Sequence, residues 1–131
     1  MVEDRNNGRI LIVDDEVGYT DVLSRRLKKR GFHVECASSG KEALNKLRSG
    51  SFDVVVLDLK MEDLNGLEVL RIFRIMEPSM PVIMLTGHGS EEAARAGKEL
   101  GAFDYLGKPC DFDTLLQVIK KALSHRKGGE A

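Results

Sequence analysis

Five side chains in this 131-residue chain stand where an aliphatic core would not select them. Asp14 and Asp15 follow the run Ile10–Val13, Asp58 follows Val54–Leu57, Thr86 closes the run that starts at Pro81, and Lys108 comes just after Leu106. Polarity at any single such position is ordinary, since loops begin where strands end. Three carboxylates, a hydroxyl and an amine arriving together call for a common purpose. Carboxylates within ~4 Å of one another repel by about 4 kcal/mol per pair at an effective dielectric near 20. One lysine does not offset that, whereas a hard divalent cation does, and all-oxygen ligands favour magnesium or calcium over zinc. A metal given few protein ligands keeps positions for phosphate oxygens, which points to phosphoryl transfer with Asp58 as a nucleophile and an acyl phosphate as product.

These residues converge only if the elements carrying them are parallel strands. Arg9–Asp14, His33–Ala37, Asp53–Leu59, Pro81–Thr86 and Phe103–Leu106 are short, aliphatic and β-branched, the pattern of strands buried on both faces. Between and after them, helical periodicity runs over Val17–Arg30 (inward Val17, Leu23, Leu27), Ser39–Ser49 (Ala43, Leu44, Leu47), Gly66–Met76, Ser90–Leu100 and Asp111–Ser124. Ser39 and Asp111 stand as N-caps, Gly31 as a stop, and Gly97 weakens the fourth helix by about 1 kcal/mol relative to Ala. Strands separated by single helices imply right-handed crossovers and a parallel sheet covered on both faces, an α/β fold with ligands beyond the carboxyl ends of its strands.

Composition agrees with one folded domain: 42% hydrophobic and 31% charged residues, with 20 Lys and Arg against 21 Asp and Glu for a net charge of −1. Nucleic-acid-binding domains are far more basic, so direct nucleic-acid binding is not expected. No aliphatic run approaches the length of a membrane span, and the polar start MVEDRNNGR carries no signal peptide, so no membrane association and a cytoplasmic location are expected. Cys36 and Cys110 read as reduced thiols. His33, His88 and His125 are scattered and do not form a metal site, and Met61, Met76, Met80 and Met84 read as filler. The basic run Arg25–Arg30 reads as a solvated face favoured by the helix dipole. Gly87-His88-Gly89-Ser90-Glu91-Glu92 begins like a dinucleotide fingerprint but has Glu92 in place of the third glycine, which excludes it.

At Asp14-Asp15-Glu16, Leu57-Asp58, Leu85-Thr86-Gly87 and Gly101-Ala102-Phe103-Asp104-Tyr105-Leu106-Gly107-Lys108-Pro109, the sequence resembles the receiver domain of two-component response regulators. The resemblance covers residues 9–124, with 1–8 and 125–131 expected to be flexible tails. It implies a flavodoxin-like doubly wound (βα)5 fold with strand order 2-1-3-4-5. It makes Asp58 the phosphoacceptor and Lys108 the lysine that bonds the phosphoryl group. Asp14 and Asp15 become the Mg2+ pair (Mn2+ substituting), helped by Asp58 and the backbone carbonyl of Lys60. Thr86 and Tyr105 form the switch pair, and Lys108–Pro109 is a cis peptide. The domain would catalyse only its own phosphorylation and dephosphorylation.

The partners implied are a histidine kinase or phosphotransfer protein, docked on the first helix at Gly18, Tyr19 and Val22, and a downstream protein or attached output domain. Phosphorylation would shift the surface of the fourth helix, fifth strand and fifth helix, in a monomer or a phosphorylation-promoted dimer. Lys60 and His88 occupy positions that tune phosphoryl hydrolysis in this family, and a lysine at the first positions water poorly, which predicts a long-lived phosphoform. Glu62 stands where receivers have proline, implying a looser loop, and Cys110 replaces a common phenylalanine. Residues Leu85–Gly89 resemble receivers attached to ATPase-type transcriptional activators, and a stand-alone regulator and a receiver cut from a longer transcription factor or hybrid kinase both stay open. Two rivals from other classes are a small magnesium-dependent phosphohydrolase, which would want an aspartate where Lys60 stands, and an interaction module that is never phosphorylated.

Overall fold

The computed structural model describes residues 7–61, 63–87 and 91–129. Five strands alternate with five helices: β1 (Arg9–Val13), α1 (Val17–Lys29), β2 (His33–Ala37), α2 (Gly40–Ser49), β3 (Val54–Leu57), α3 (Gly66–Met76), β4 (Val82–Thr86), α4 (Glu91–Glu99), β5 (Asp104–Gly107) and α5 (Phe112–Gly129). The strands form one parallel sheet in the order β2-β1-β3-β4-β5, the expected doubly wound topology.

Strand periodicity explains why the central runs are aliphatic throughout. Successive side chains point to opposite faces. Ile10, Ile12, Val54, Val56, Ile83 and Leu85 therefore pack with residues of α1 and α5 on one side. Leu11, Val13, Val55, Leu57, Val82 and Met84 pack with residues of α2 and α3 on the other. Both layers are buried, and Phe73 of α3, with no solvent exposure, is among the largest of the fully buried side chains.

Several boundaries depart from the sequence expectation. β1, β3 and β4 each stop or start a residue or two inside the expected run, because pairing ends where the flanking loops turn away. β5 lies one residue later than expected, and α5 continues to Gly129, beyond Ser124, since nothing before Gly128 and Gly129 opposes helix. Val17 was expected to face inward but is 64% exposed. It sits in the first turn of α1, and Thr20, Leu23, Ser24 and Leu27 fill the covered face instead. The Thr20 hydroxyl satisfies itself by donating to the Val17 carbonyl at 3.0 Å.

Gly97 is more than a local cost. It is the buried residue of α4, and a Cβ there would lie 2.6 Å from the Met84 sulfur, so its lack of a side chain lets α4 approach the sheet. The expected caps are present: the Ser39 hydroxyl accepts from the Glu42 amide at 3.0 Å and the Asp111 carboxylate from the Thr114 amide at 3.3 Å.

The basic run at the end of α1 is used within the fold. Arg25 pairs with Asp21 at 2.8 Å, and the guanidinium of Arg26 lies 4.0 Å from the centre of the Phe112 ring. Cys36 and Cys110 are free, half-buried thiols, each pushed above its ordinary pKa by burial. Among the described residues no helix is long and apolar enough to cross a membrane.

Truncating Phe73 removes a ring from a fully buried position in a hydrophobic layer. Phe73→Ala is expected to cost about 3–5 kcal/mol in denaturant unfolding. A loss below about 1 kcal/mol would mean that this face is not packed as described.

Candidate functional site

Register creates the site. Val13 of β1 lies opposite Leu57 of β3, so the next residue on each strand, Asp14 and Asp58, emerges side by side. Backbone bonds carry the pairing one step further. The Asp58 amide donates to the Val13 carbonyl at 2.8 Å and the Asp14 amide to the Ala37 carbonyl at 3.0 Å. Across the sheet, Thr86 of β4 pairs with Gly107 of β5, and the Lys108 amide donates to the Thr86 carbonyl at 2.9 Å. Asp14, Asp58 and Thr86 are all buried, at 3%, 3% and 2% exposure, although each is polar.

Lys108 ties the ends together. Its ammonium donates to Asp14 Oδ2 and to Glu16 Oε1, each at 2.6 Å, and pairs with Asp58 Oδ2 at 3.6 Å. Its peptide bond to Pro109 is cis. The side chain is only 12% exposed, and burial works against its charge. The hydrogen bonds it donates to Asp14 and Glu16 outweigh that penalty and hold the ammonium above its ordinary pKa. Asp14 is raised above the usual carboxylate range. Burial is the main cause, reinforced by the Asp58 charge and opposed by bonds from Lys108 and from the Glu16 amide.

The acid cluster differs in one member from the expected set. Carboxylate oxygens of Asp14, Glu16 and Asp58 lie within 4.8 Å of one another, the one such acidic group among the described residues. Asp15 is exposed and contributes no oxygen to that cluster. Lys108 gathers Asp14 and Glu16 at one point, since its ammonium donates to both. At 4.8 Å, like charges cost about 3–4 kcal/mol per pair at an effective dielectric near 20. Three carboxylates facing one ammonium therefore leave an excess of negative charge, and an all-oxygen donor set of this size suits magnesium.

The loop after Asp58 is held from several directions. The Lys60 amide lies 3.5 Å from Asp58 Oδ1, and Lys60 bridges to Asn65. The Gly66 amide donates to the Leu59 carbonyl at 2.7 Å, and a Cβ on Gly66 would lie 2.5 Å from the Leu59 backbone and 2.7 Å from the Asp58 carbonyl. Asp63 accepts from the Gly40 and Lys41 amides at 2.9 and 3.0 Å, which fastens the loop to the N-terminus of α2 and lowers its pKa. The looser loop expected from Glu62 is met by these ties on either side of it; Glu62 itself lies outside the described residues, as does His88.

Sequence inspection missed Glu16 as a site residue, Asp63, Gly66 and the Asn65 cap, whose side chain accepts from the Leu67 amide at 2.8 Å. Only the short Asn-Gly pair before α3 carries a signal for any of these.

Thr86 and Tyr105, expected as a pair, line one open depression of about 380 Å3 with Gly87, Glu91, Ala94, Gly107 and Lys108. The Tyr105 hydroxyl is buried, without a hydrogen-bond partner among the described residues, and burial together with the Asp58 charge raises its pKa. Of the expected docking residues, Val22 is 56% exposed. Gly18 has open space around it. Tyr19 is half-buried, with its ring centre 4.5 Å from the Lys108 ammonium.

Residues 10–120 match the family described as the response regulator receiver domain. The transcriptional regulatory protein ZraR of Escherichia coli K12 is 38% identical over 120 residues, which are 92% of this chain and 27% of that protein. The chain thus spans about a quarter of the length of the curated relatives it matches. A CheY-like receiver domain protein from Methanospirillum hungatei superposes with a TM-score of 0.90 at 34% identity, covering 92% of this chain and 97% of that one. NtrX from Brucella abortus gives 0.88 at 32% identity, covering 94% of this chain and 28% of that one.

Two outcomes follow from the loop. Gly66→Ala is expected to cost about 1–3 kcal/mol by overpacking and to shift the amide NMR signals of Asp58, Leu59 and Lys60. Unchanged signals would refute the close approach. Asp63 has a folded pKa below the unfolded value of 3.8, so its contribution is complete above that value and is lost as pH falls through the lower folded value. The stability gap between the wild type and Asp63→Asn should therefore shrink in acid, and a gap independent of pH would contradict the tether.

Proposed function

The chain belongs to the response regulator receiver domain family, and from that membership we propose that Asp58 is its phosphoacceptor in a two-component system or phosphorelay. The observation that carries this reading is the contact set of the buried Asp58 with buried Asp14, exposed Glu16 and Lys108 at the carboxyl ends of the strands. Asp58 attacks phosphorus in a phosphohistidine of a kinase or phosphotransfer protein. The new Asp58 O–P bond forms as the P–N bond breaks, and the released imidazole nitrogen takes a proton from solvent. Lys108, already within ion-pair distance of Asp58, neutralises charge on the transferred oxygens. Asp14 and Asp58, with the Lys60 carbonyl and either Glu16 or a reoriented Asp15, would hold Mg2+. When bound, the ion supplies charge compensation for the acids and the phosphoryl oxygens. Mn2+, with the same oxygen preference, would substitute.

A phosphoryl group on Asp58 adds a dianion with three acceptor oxygens. Inverting a switch from 1:99 to 99:1 takes about 5.5 kcal/mol, and hydrogen bonds to charged groups give about 1.5–3 kcal/mol each. Two or three new bonds suffice, and the buried Thr86 hydroxyl would donate one of them. The Tyr105 hydroxyl, beside Thr86 in the same depression and without a hydrogen-bond partner among the described residues, is the group with most to gain from a change there. Movement of this pair would alter the surface of α4, β5 and α5, read by a partner protein or by an attached output domain. Exposed Val17 and Val22 on α1 would meet the phosphodonor, in the cytoplasm. The domain acts as a regulator, catalysing its own phosphorylation and dephosphorylation and turning over no external substrate. Lys60, exposed beside Asp58, predicts slow hydrolysis of the phosphoform.

Incubated with magnesium and a small acyl phosphate, the protein is expected to gain one phosphoryl group by intact mass, and Asp58→Asn none. Labelling that survives in Asp58→Asn would move the acceptor. Magnesium alone should raise the Tm of the wild type by binding the folded state, and the rise should vanish when Asp14 and Asp58 are both asparagine. An equal rise in that double variant would place the cation elsewhere.

A further inference from the structure

Tyr19 of α1 is not a free docking side chain. Its ring centre lies 4.5 Å from the Lys108 ammonium, well within the distance at which a cation is attracted to an aromatic face. The ring is half-buried and packs against the core layer that contains Leu23, Leu27 and Phe112, so its position is set by the anchoring of α1. Lys108 itself is 12% exposed, and a cation–π contact gains strength as the cation is desolvated.

We propose that Tyr19 is a positioning residue for Lys108, holding the ammonium at the strand ends by its ring face; this rests on the assignment of Lys108 as the group that meets the transferred phosphoryl oxygens.

The chemistry of the remaining partners explains why a ring is needed. The two acids that hold Lys108 at 2.6 Å, Asp14 and Glu16, also belong to the oxygen cluster suited to a divalent cation. Whatever those carboxylates give to a cation they no longer give to the lysine. An aromatic face neither ligates a hard cation nor accepts the lysine's proton. Its attraction is also weakly directional, so it persists as the ammonium moves the short way toward Asp58. Burial holds the Tyr19 phenol above its ordinary pKa, so no phenolate competes for that role.

The test is the rate of labelling by magnesium and a small acyl phosphate, a donor that has no protein surface to dock. Tyr19→Leu is expected to slow labelling about three- to tenfold and Tyr19→Phe to restore it to within about twofold of wild type, as a half-desolvated cation–π contact requires. In a Lys108→Met background, Tyr19→Leu should bring no further slowing, whereas a general packing role would slow both backgrounds alike. A wild-type rate in Tyr19→Leu, or an equal slowing with and without Lys108, overturns the inference. Failure of the wild type to label at Asp58 would instead overturn the phosphoacceptor assignment itself.

Discussion

The structure depends on an imbalance of charge held out of water. Asp14 and Asp58 sit side by side at 3% exposure, the exposed Glu16 carboxylate lies within reach of both, and one lysine faces all three. Burial of an acid normally drives it to protonate, and Asp14 is displaced in that direction. A hydrophobic core has no use for such an arrangement. A divalent cation on the same oxygens would relieve it.

The rest of the fold serves to keep that cluster from relaxing. Parallel pairing fixes Asp14 and Asp58 at one level, and two buried hydrophobic layers lock the strands that carry them. The loop that leaves Asp58 is pinned at Gly66 by backbone contact and at Asp63 by two amides of α2. Lys108 is joined to Thr86 through the backbone and to α1 through the Tyr19 ring. Each element touching the cluster thereby shares in any change of its charge.

How legible this was from sequence depends on the kind of contact. Asp14, Asp58 and Thr86 announce themselves because they interrupt aliphatic runs whose burial is certain, and strand–helix alternation then leaves one parallel topology. Lys108 is legible for its place just beyond the last strand. Glu16 and Asp15 are neighbours of equal charge, and only the turn after β1 decides which faces the lysine. Asp63 and Gly66 act through amides and backbone atoms of other elements, which no local pattern encodes. Val17 fits the helical stripe as well as Leu23 does, but the first turn of α1 extends beyond the layer that would cover it.

The central claim is that the side chain at position 58, and no other, takes up phosphorus. Borohydride reduction of the labelled protein converts an aspartyl phosphate to homoserine, and peptide mapping by mass spectrometry reads its position. The account predicts homoserine at residue 58 alone. Reduction at Asp14, Asp15 or any other acid, or a label retained on a histidine, would contradict it.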